Sequence, residues 1–156
     1  MPRYKTMAAV AAAACTVGLS LVGSTPTAGA SDSITNKFCT YTANTPLREH
    51  TSSWRVRGSE MWSCTPEGEA SSGSKKLVVK LQSYDSYFGT WSDVAGTQKT
   101  SSSSDWGKAV TLATAAKCAK AKYRTVAWGL ITDTNGKTIQ TLPMAYSASK
   151  TITSCS

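Results

Sequence analysis

Five cysteines are spread along this 156-residue chain, and four of them decide what it can fold into. The first, Cys15, sits in an apolar run over residues 7–22. That run follows a positive start at Arg3 and Lys5 and is broken by Gly23-Ser24-Thr25-Pro26. It ends on Ala28-Gly29-Ala30, the small side chains a signal peptidase needs. The pattern predicts an export leader over residues 1–30, cleaved after Ala30. Its apolar core falls short of the roughly 20 residues of a membrane span. No second such stretch follows, so we expect a released, extracellular protein with no membrane insertion. Cys15 has Thr-Val-Gly after it rather than a lipobox-like boundary, and it leaves with the leader.

Cys39, Cys64, Cys118 and Cys155 remain. An even count in an exported domain reads as two disulfides, whereas a zinc site asks for closer pairs and several histidines. His50 is the only imidazole in the chain, so neither metal nor cofactor is expected. Pairing Cys39 with Cys64 and Cys118 with Cys155 closes the shorter loops. A Cys64–Cys118 bridge across two sheets is the runner-up. Each bridge is worth on the order of 2–4 kcal/mol, mainly through the unfolded state.

Residues 31–156 are enough for one domain with its own core. Ser and Thr are abundant and turn residues recur at short intervals, which favours strands. The clearest strand is 76–83, with Leu77, Val79 and Leu81 facing the core. In 109–114, Val110 and Leu112 point inward; a short turn near 115–117 is expected to follow. The longest strand, 121–133, runs into Asp133-Thr134-Asn135-Gly136, where Asn and Gly both tolerate the positive φ of a tight hairpin. Residues 137–142 then pair back, and a final strand spans 146–154 with Ile152 as its anchor. Weaker strand patterns cover 34–42, 52–57, 61–64 and 87–91. Residues 66–74 and the serine-rich 96–105 read as loops. So many short strands and no long helix predict an all-β, two-sheet sandwich of immunoglobulin-like type, stapled by two disulfides. A small closed barrel is the alternative.

Arg3 and Lys5 leave with the leader, so the net charge falls from +8 to +6. The remaining charges are scattered, densest at Lys75-Lys76-Lys80 and Lys117-Lys120-Lys122-Arg124. Nucleic-acid binders show a tighter basic stripe interleaved with aromatics, so no nucleic acid is expected; anionic wall polymers suit such a surface better. Chemistry is sparse. Arg48-Glu49-His50 holds the residue types of a ribonuclease, but neighbours in a strand point to opposite faces. Neither a Gly-x-Ser-x-Gly elbow nor a phosphate loop occurs, and no catalytic residue is assigned.

Five tryptophans are a richer signal. If Tyr123, Thr125, Ala127, Gly129 and Ile131 face inward, the other face of that strand exposes Val126 and Trp128 together, an apolar stripe suited to a partner or a sugar. The segment 31–38, bounded by Ser31 and Phe38 with Ile34 between them, is polar, extended and unrestrained by any bridge. It is a frayed end, or a strand that adds to a partner's sheet.

The leader, the four cysteines, the Ser/Thr-rich strands and Trp91-Ser92-Asp93-Val94 followed by Tyr123-Arg124-Thr125 resemble small exported β-sandwich proteins of filamentous actinobacteria. Within that group the chain is similar in size and plan to the small adaptor subunit of umbrella toxin particles. There, a compact β domain with an extended N-terminal segment connects a lectin-like subunit to a large toxin. The likeness is one of layout and carries over no binding residue. It implies a secreted, non-enzymatic adaptor whose partners are other secreted proteins, with Ser31, Ile34, Phe38, Val126 and Trp128 as contact residues. The alternatives are a small secreted nuclease or hydrolase toxin dependent on His50, and a wall-binding or inhibitor module.

Overall fold

The computed structural model describes residues 32–35, 39–65 and 73–156. The first three strands are β1 (Asp32–Thr35), β2 (Cys39–His50) and β3 (Trp54–Cys64). Next come β4 (Ser74–Asp85), β5 (Thr90–Asp93), β6 (Lys99–Ser103), β7 (Val110–Lys117) and β8 (Ala121–Thr132). The chain closes with β9 (Thr138–Thr141), β10 (Ala145–Tyr146) and β11 (Lys150–Ile152). One sheet has the order β1-β2-β3-β7; in the other, β4 and β8 pair at the centre, with β5 and β6 along β4 and β9, β10 and β11 along β8. Every pairing is antiparallel. The protein is thus an all-β, two-sheet sandwich. Its connectivity follows the immunoglobulin plan, with β2, β3 and β7 in the places of strands A, B and E, and β4 and β8 in those of C and F.

Alternation in the sequence becomes two inner faces. Leu77, Val79 and Leu81 of β4 are fully buried, and Tyr123, Thr125, Ala127, Gly129 and Ile131 of β8 face them from the next strand. One core cluster gathers Tyr41, Trp62, Leu77, Trp106, Ile131 and Leu142; a second joins Val56, Leu81, Tyr123 and Ile152. Tyr123 donates from its hydroxyl to the Ala119 carbonyl at 3.3 Å, the corner bond that seats the start of this strand in immunoglobulin-like sandwiches. Gly129 lets the two layers close: a Cβ there would overlap the Trp62 ring. Gly129→Ala should therefore lower stability by about 1–3 kcal/mol through overpacking, read as a shift in urea midpoint; an unchanged midpoint would show that Trp62 does not lie on this strand.

Both bridges follow the shorter-loop pairing. Cys39 and Cys64 sit directly opposite on β2 and β3, with Cα atoms 4.0 Å apart. Cys118 and Cys155 are 5.7 Å apart and tie the end of β7 to the tail beyond β11, fastening one sheet to the other. The runner-up is ruled out by position. Cys64 ends β3 beside the start of β7, whereas Cys118 follows the far end of β7 and bonds the Trp54 carbonyl. Two disulfides fit an oxidising environment.

Several sequence expectations shift. The patterns over 52–57 and 61–64 are one continuous strand, β3. Residues 115–117 continue β7 instead of turning, because Ala115, Ala116 and Lys117 stay in register with Arg57, Val56 and Arg55. The serine-rich stretch within 96–105 holds β6, paired to Lys75, Lys76 and Leu77 through its backbone. Strand β5 begins later than expected, since Asp85 Oδ1 accepts the Tyr87 and Phe88 amides and holds a turn there. At the Asn-Gly site only Gly136 has positive φ. Gly136 N bonds Asp133 O at 3.0 Å, the pattern of a type I turn followed by a bulge rather than a two-residue hairpin. The final strand is split into β10 and β11. Ser147 Oγ takes the Thr125 amide at 2.9 Å, so a side chain replaces a ladder bond and the edge bulges. Of the loop expected over 66–74, residues 66–72 lie outside the described residues, and Ser74 already opens β4.

Among the described residues, two charged side chains are buried within this frame. Lys75 is fully enclosed and its Nζ donates to the Lys108 carbonyl at 3.0 Å and the Trp106 carbonyl at 3.4 Å, which anchors the loop before β7. Burial lowers its ammonium from the ordinary value, with the charge of Asp105 opposing. Glu60 is also fully enclosed and has no hydrogen-bond partner for either oxygen.

Candidate functional site

The outward face of the β4–β8 sheet carries the most organised set of exposed side chains. Strand alternation places Lys80, Gln82 and Tyr84 of β4 on that face, opposite Val126, Arg124 and Lys122 of β8. Pairing with β5 adds Trp91 and Asp93 beside Tyr84 and Gln82, and pairing with β10 adds Tyr146 beside Val126. Residues from four strands meet there, although they are distant in sequence.

Arg124 is at the centre. Its guanidinium carbon lies 4.3 Å from the Trp91 ring and 4.3 Å from the Tyr146 ring, which come from opposite edges of the sheet. Nε donates to Gln82 Oε1 at 2.9 Å. Gln82 in turn donates to Asp93 Oδ1 at 2.8 Å, and Lys80 Nζ donates to Asp93 Oδ2 at 2.6 Å. Those two bonds, with the nearby Lys80 charge, hold the Asp93 carboxyl below its ordinary value. Partial burial lowers Arg124 from its ordinary value, and Tyr146 opposes the shift; guanidinium stays charged at any physiological pH. Lys80 lies 5.4 Å over the Trp128 ring, Lys122 lies 5.6 Å over Tyr84, and the Tyr84 and Trp91 rings are 5.2 Å apart. Such contacts are worth roughly 0.5–1 kcal/mol each at exposed sites. Their larger effect is to fix long side chains before any partner arrives.

The sequence-derived contact residues fare differently. Trp128 is on this face and half-buried. Val126 points outward too, but it is fully buried, so it is not the exposed half of an apolar stripe. Its cross-strand partners are Lys80 and Tyr146 and its same-face neighbours are Arg124 and Trp128, all longer, and they close over it. Ile34 lies in β1, in register with Tyr41 of the same chain, and β1 also packs beside β10. Ser31 and Phe38 lie outside the described residues. The alternation pattern around Trp128 did mark this face, but it singled out the apolar side chains. The polar chain from Arg124 through Gln82 to Asp93 was missed, because only cross-strand register brings those residues together.

His50 stands elsewhere. β2 runs through it, so Glu49 and His50 point to opposite sides, as alternation requires. His50 packs edge-on against Trp54 at 4.8 Å, with Arg48 over the same ring at 4.2 Å. Glu49 instead faces Arg57 at 4.0 Å. The three residues do not converge. No protein-family model matches the chain, and no curated protein matches it either.

Proposed function

We propose that this is a secreted, non-enzymatic binding protein that acts as an adaptor between other secreted proteins. The concrete form is a bridging component of an extracellular antibacterial toxin assembly, with a lectin-like subunit and a large toxin subunit as its partners. The outward face of the β4–β8 sheet carries the reading. Trp, Tyr and Arg dominate the binding energy of protein interfaces, and here Trp91, Trp128, Tyr146 and Arg124 are held together on one rigid, doubly bridged scaffold. The layout shared with exported adaptor subunits supports it. So does the position of β1, which brings residues 32–35 to the side of the sandwich occupied by β10.

The test is affinity purification of the tagged protein from culture supernatant at native expression, with the associated proteins identified by mass spectrometry. Stoichiometric partners are expected, and a lone monomer would overturn the reading. Replacing both Trp128 and Tyr146 by Ala should weaken the captured complex by about 2 kcal/mol or more, roughly 30-fold. Thermal melts of the variant would confirm that the fold is intact. Turnover of a nucleic-acid, ester or wall substrate by the purified protein, abolished by His50→Ala, would instead favour the enzyme alternative.

A further inference from the structure

Arg124 has hydrogen-bonding capacity that the fold leaves unused. Its Nε is taken by Gln82, yet among the described residues nothing accepts from its two terminal amino groups. Trp91 and Tyr146 flank the guanidinium, so the edge bearing those amino groups is the direction left for a ligand. Two parallel N–H donors on a planar fork match the two oxygens of a carboxylate. Among the described residues, the only carboxylate on this face, Asp93, is bound to Gln82 and Lys80 instead. Outward positions of β4 and β8 carry Lys76, Lys80, Lys122 and Arg124; the ionised Asp93 cancels one of these charges through its pair with Lys80 and leaves a net positive field. We propose that Arg124 is the receptor for a carboxylate, an Asp or Glu side chain on an acidic segment of the partner protein laid across this face. This rests on reading the face as a protein contact.

Three features favour that ligand. The guanidinium is oriented in advance by two rings and by Gln82, so ordering it on binding costs little. Asp93 and Lys80 brace Gln82 from behind, and the clasp is therefore a chain of four side chains rather than one mobile arginine. The surrounding lysines steer an acidic segment towards the face and disfavour a basic one. Lysine in place of Arg124 would keep the charge but lose the paired donors and the stacking.

Nuclear magnetic resonance on the isotopically labelled mature protein tests the clasp directly. The probes are two capped peptides, acetyl-(Gly-Glu)3-amide and acetyl-(Gly-Gln)3-amide, with an oligogalacturonate as the carbohydrate counterpart. The Glu peptide should give saturable shifts in the Arg124 Nε–H and Trp91 indole N–H signals, and the Gln peptide should give none. R124K should weaken that binding at least tenfold while leaving the rest of the spectrum in place. Equal response in R124K, or shifts spread evenly over Arg55, Arg57 and the lysines, would overturn the clasp. So would an oligogalacturonate that moves the same signals at lower concentration than the peptide. The supernatant purification separates the two ideas. A partner retained by R124K but lost on Trp128→Ala with Tyr146→Ala sinks the clasp alone, whereas absence of any partner sinks the broader reading.

Discussion

Replacing Glu60 by Met should make the protein more stable, and increasingly so as the pH rises. Glu60 lies on the inner face of β3, between Ala43 of β2 and Leu112 of β7, with Gly58 and Trp62 as its same-face neighbours. It is fully buried without a partner, and burial pushes its carboxyl from an ordinary 4.5 up to about 9. The folded protein thus carries it as the neutral acid at physiological pH. Below pH 4.5 both folded and unfolded chains hold the proton and Glu60 costs nothing beyond its desolvated polar atoms. Between pH 4.5 and 9 only the folded state keeps the proton, so stability falls by about 1.4 kcal/mol for each pH unit. Above pH 9 the loss levels off, at about 6 kcal/mol by this linkage. Met has similar length and no ionisable group, and its thioether suits an irregular gap. Urea unfolding at pH 5, 7 and 9 should show a widening gap between the two proteins. Parallel stability profiles across that range would mean that Glu60 ionises freely in the folded state.

The second large effect is expected from Cys118→Ser combined with Cys155→Ser. The bridge spans a sequence separation of 37 residues, and closing a loop of that size stabilises by about 4 kcal/mol in the chain-entropy account. It joins the two sheets at the corner where Tyr123 and Ile152 pack, so its loss should also loosen contacts there. The Cys39–Cys64 bridge joins strands already paired side by side, over a separation of 25, and its removal should cost slightly less. Equilibrium unfolding of the two double variants checks the order. A milder effect for the Cys118–Cys155 pair would show that the sheets hold together without it. Either loss is a large fraction of the roughly 5–15 kcal/mol that stabilises a typical domain.

How much of this was legible depended on whether the information was local. Leu77, Val79 and Leu81 announced their face by simple alternation, and the disulfide pairing followed from loop length. Even at 133–136 the turn site was evident, although its type depended on Asn135 keeping negative φ. Segment 99–103 offered no apolar alternation, because β6 holds its place through backbone bonds to β4 and its side chains are polar, small ones following Lys99. Glu60 was invisible for the opposite reason: a carboxylate in a sequence reads as surface, and only the register of β3 against β2 and β7 places it in the core. Val126 failed likewise. Its strand face was inferred correctly, but what covers it comes from β4 and β10, far away in sequence. The clasp around Arg124 is the extreme case, since its parts lie on β4, β5, β8 and β10.

The two bridges also govern what a cut in the chain would do. A protease that nicks the turn at Ser52, between Cys39 and Cys64, opens a ring and frees nothing, because both halves stay covalently joined. The same holds at Asn135, inside the ring closed by Cys118 and Cys155. Between Cys39 and Cys155, only the stretch from Thr65 to Lys117 is spanned by neither ring, so a single cleavage there leaves two pieces held by noncovalent contacts alone. In an oxidising environment, where both bridges persist, a peptidase cut in an exposed turn within either ring would leave the molecule in one covalent piece.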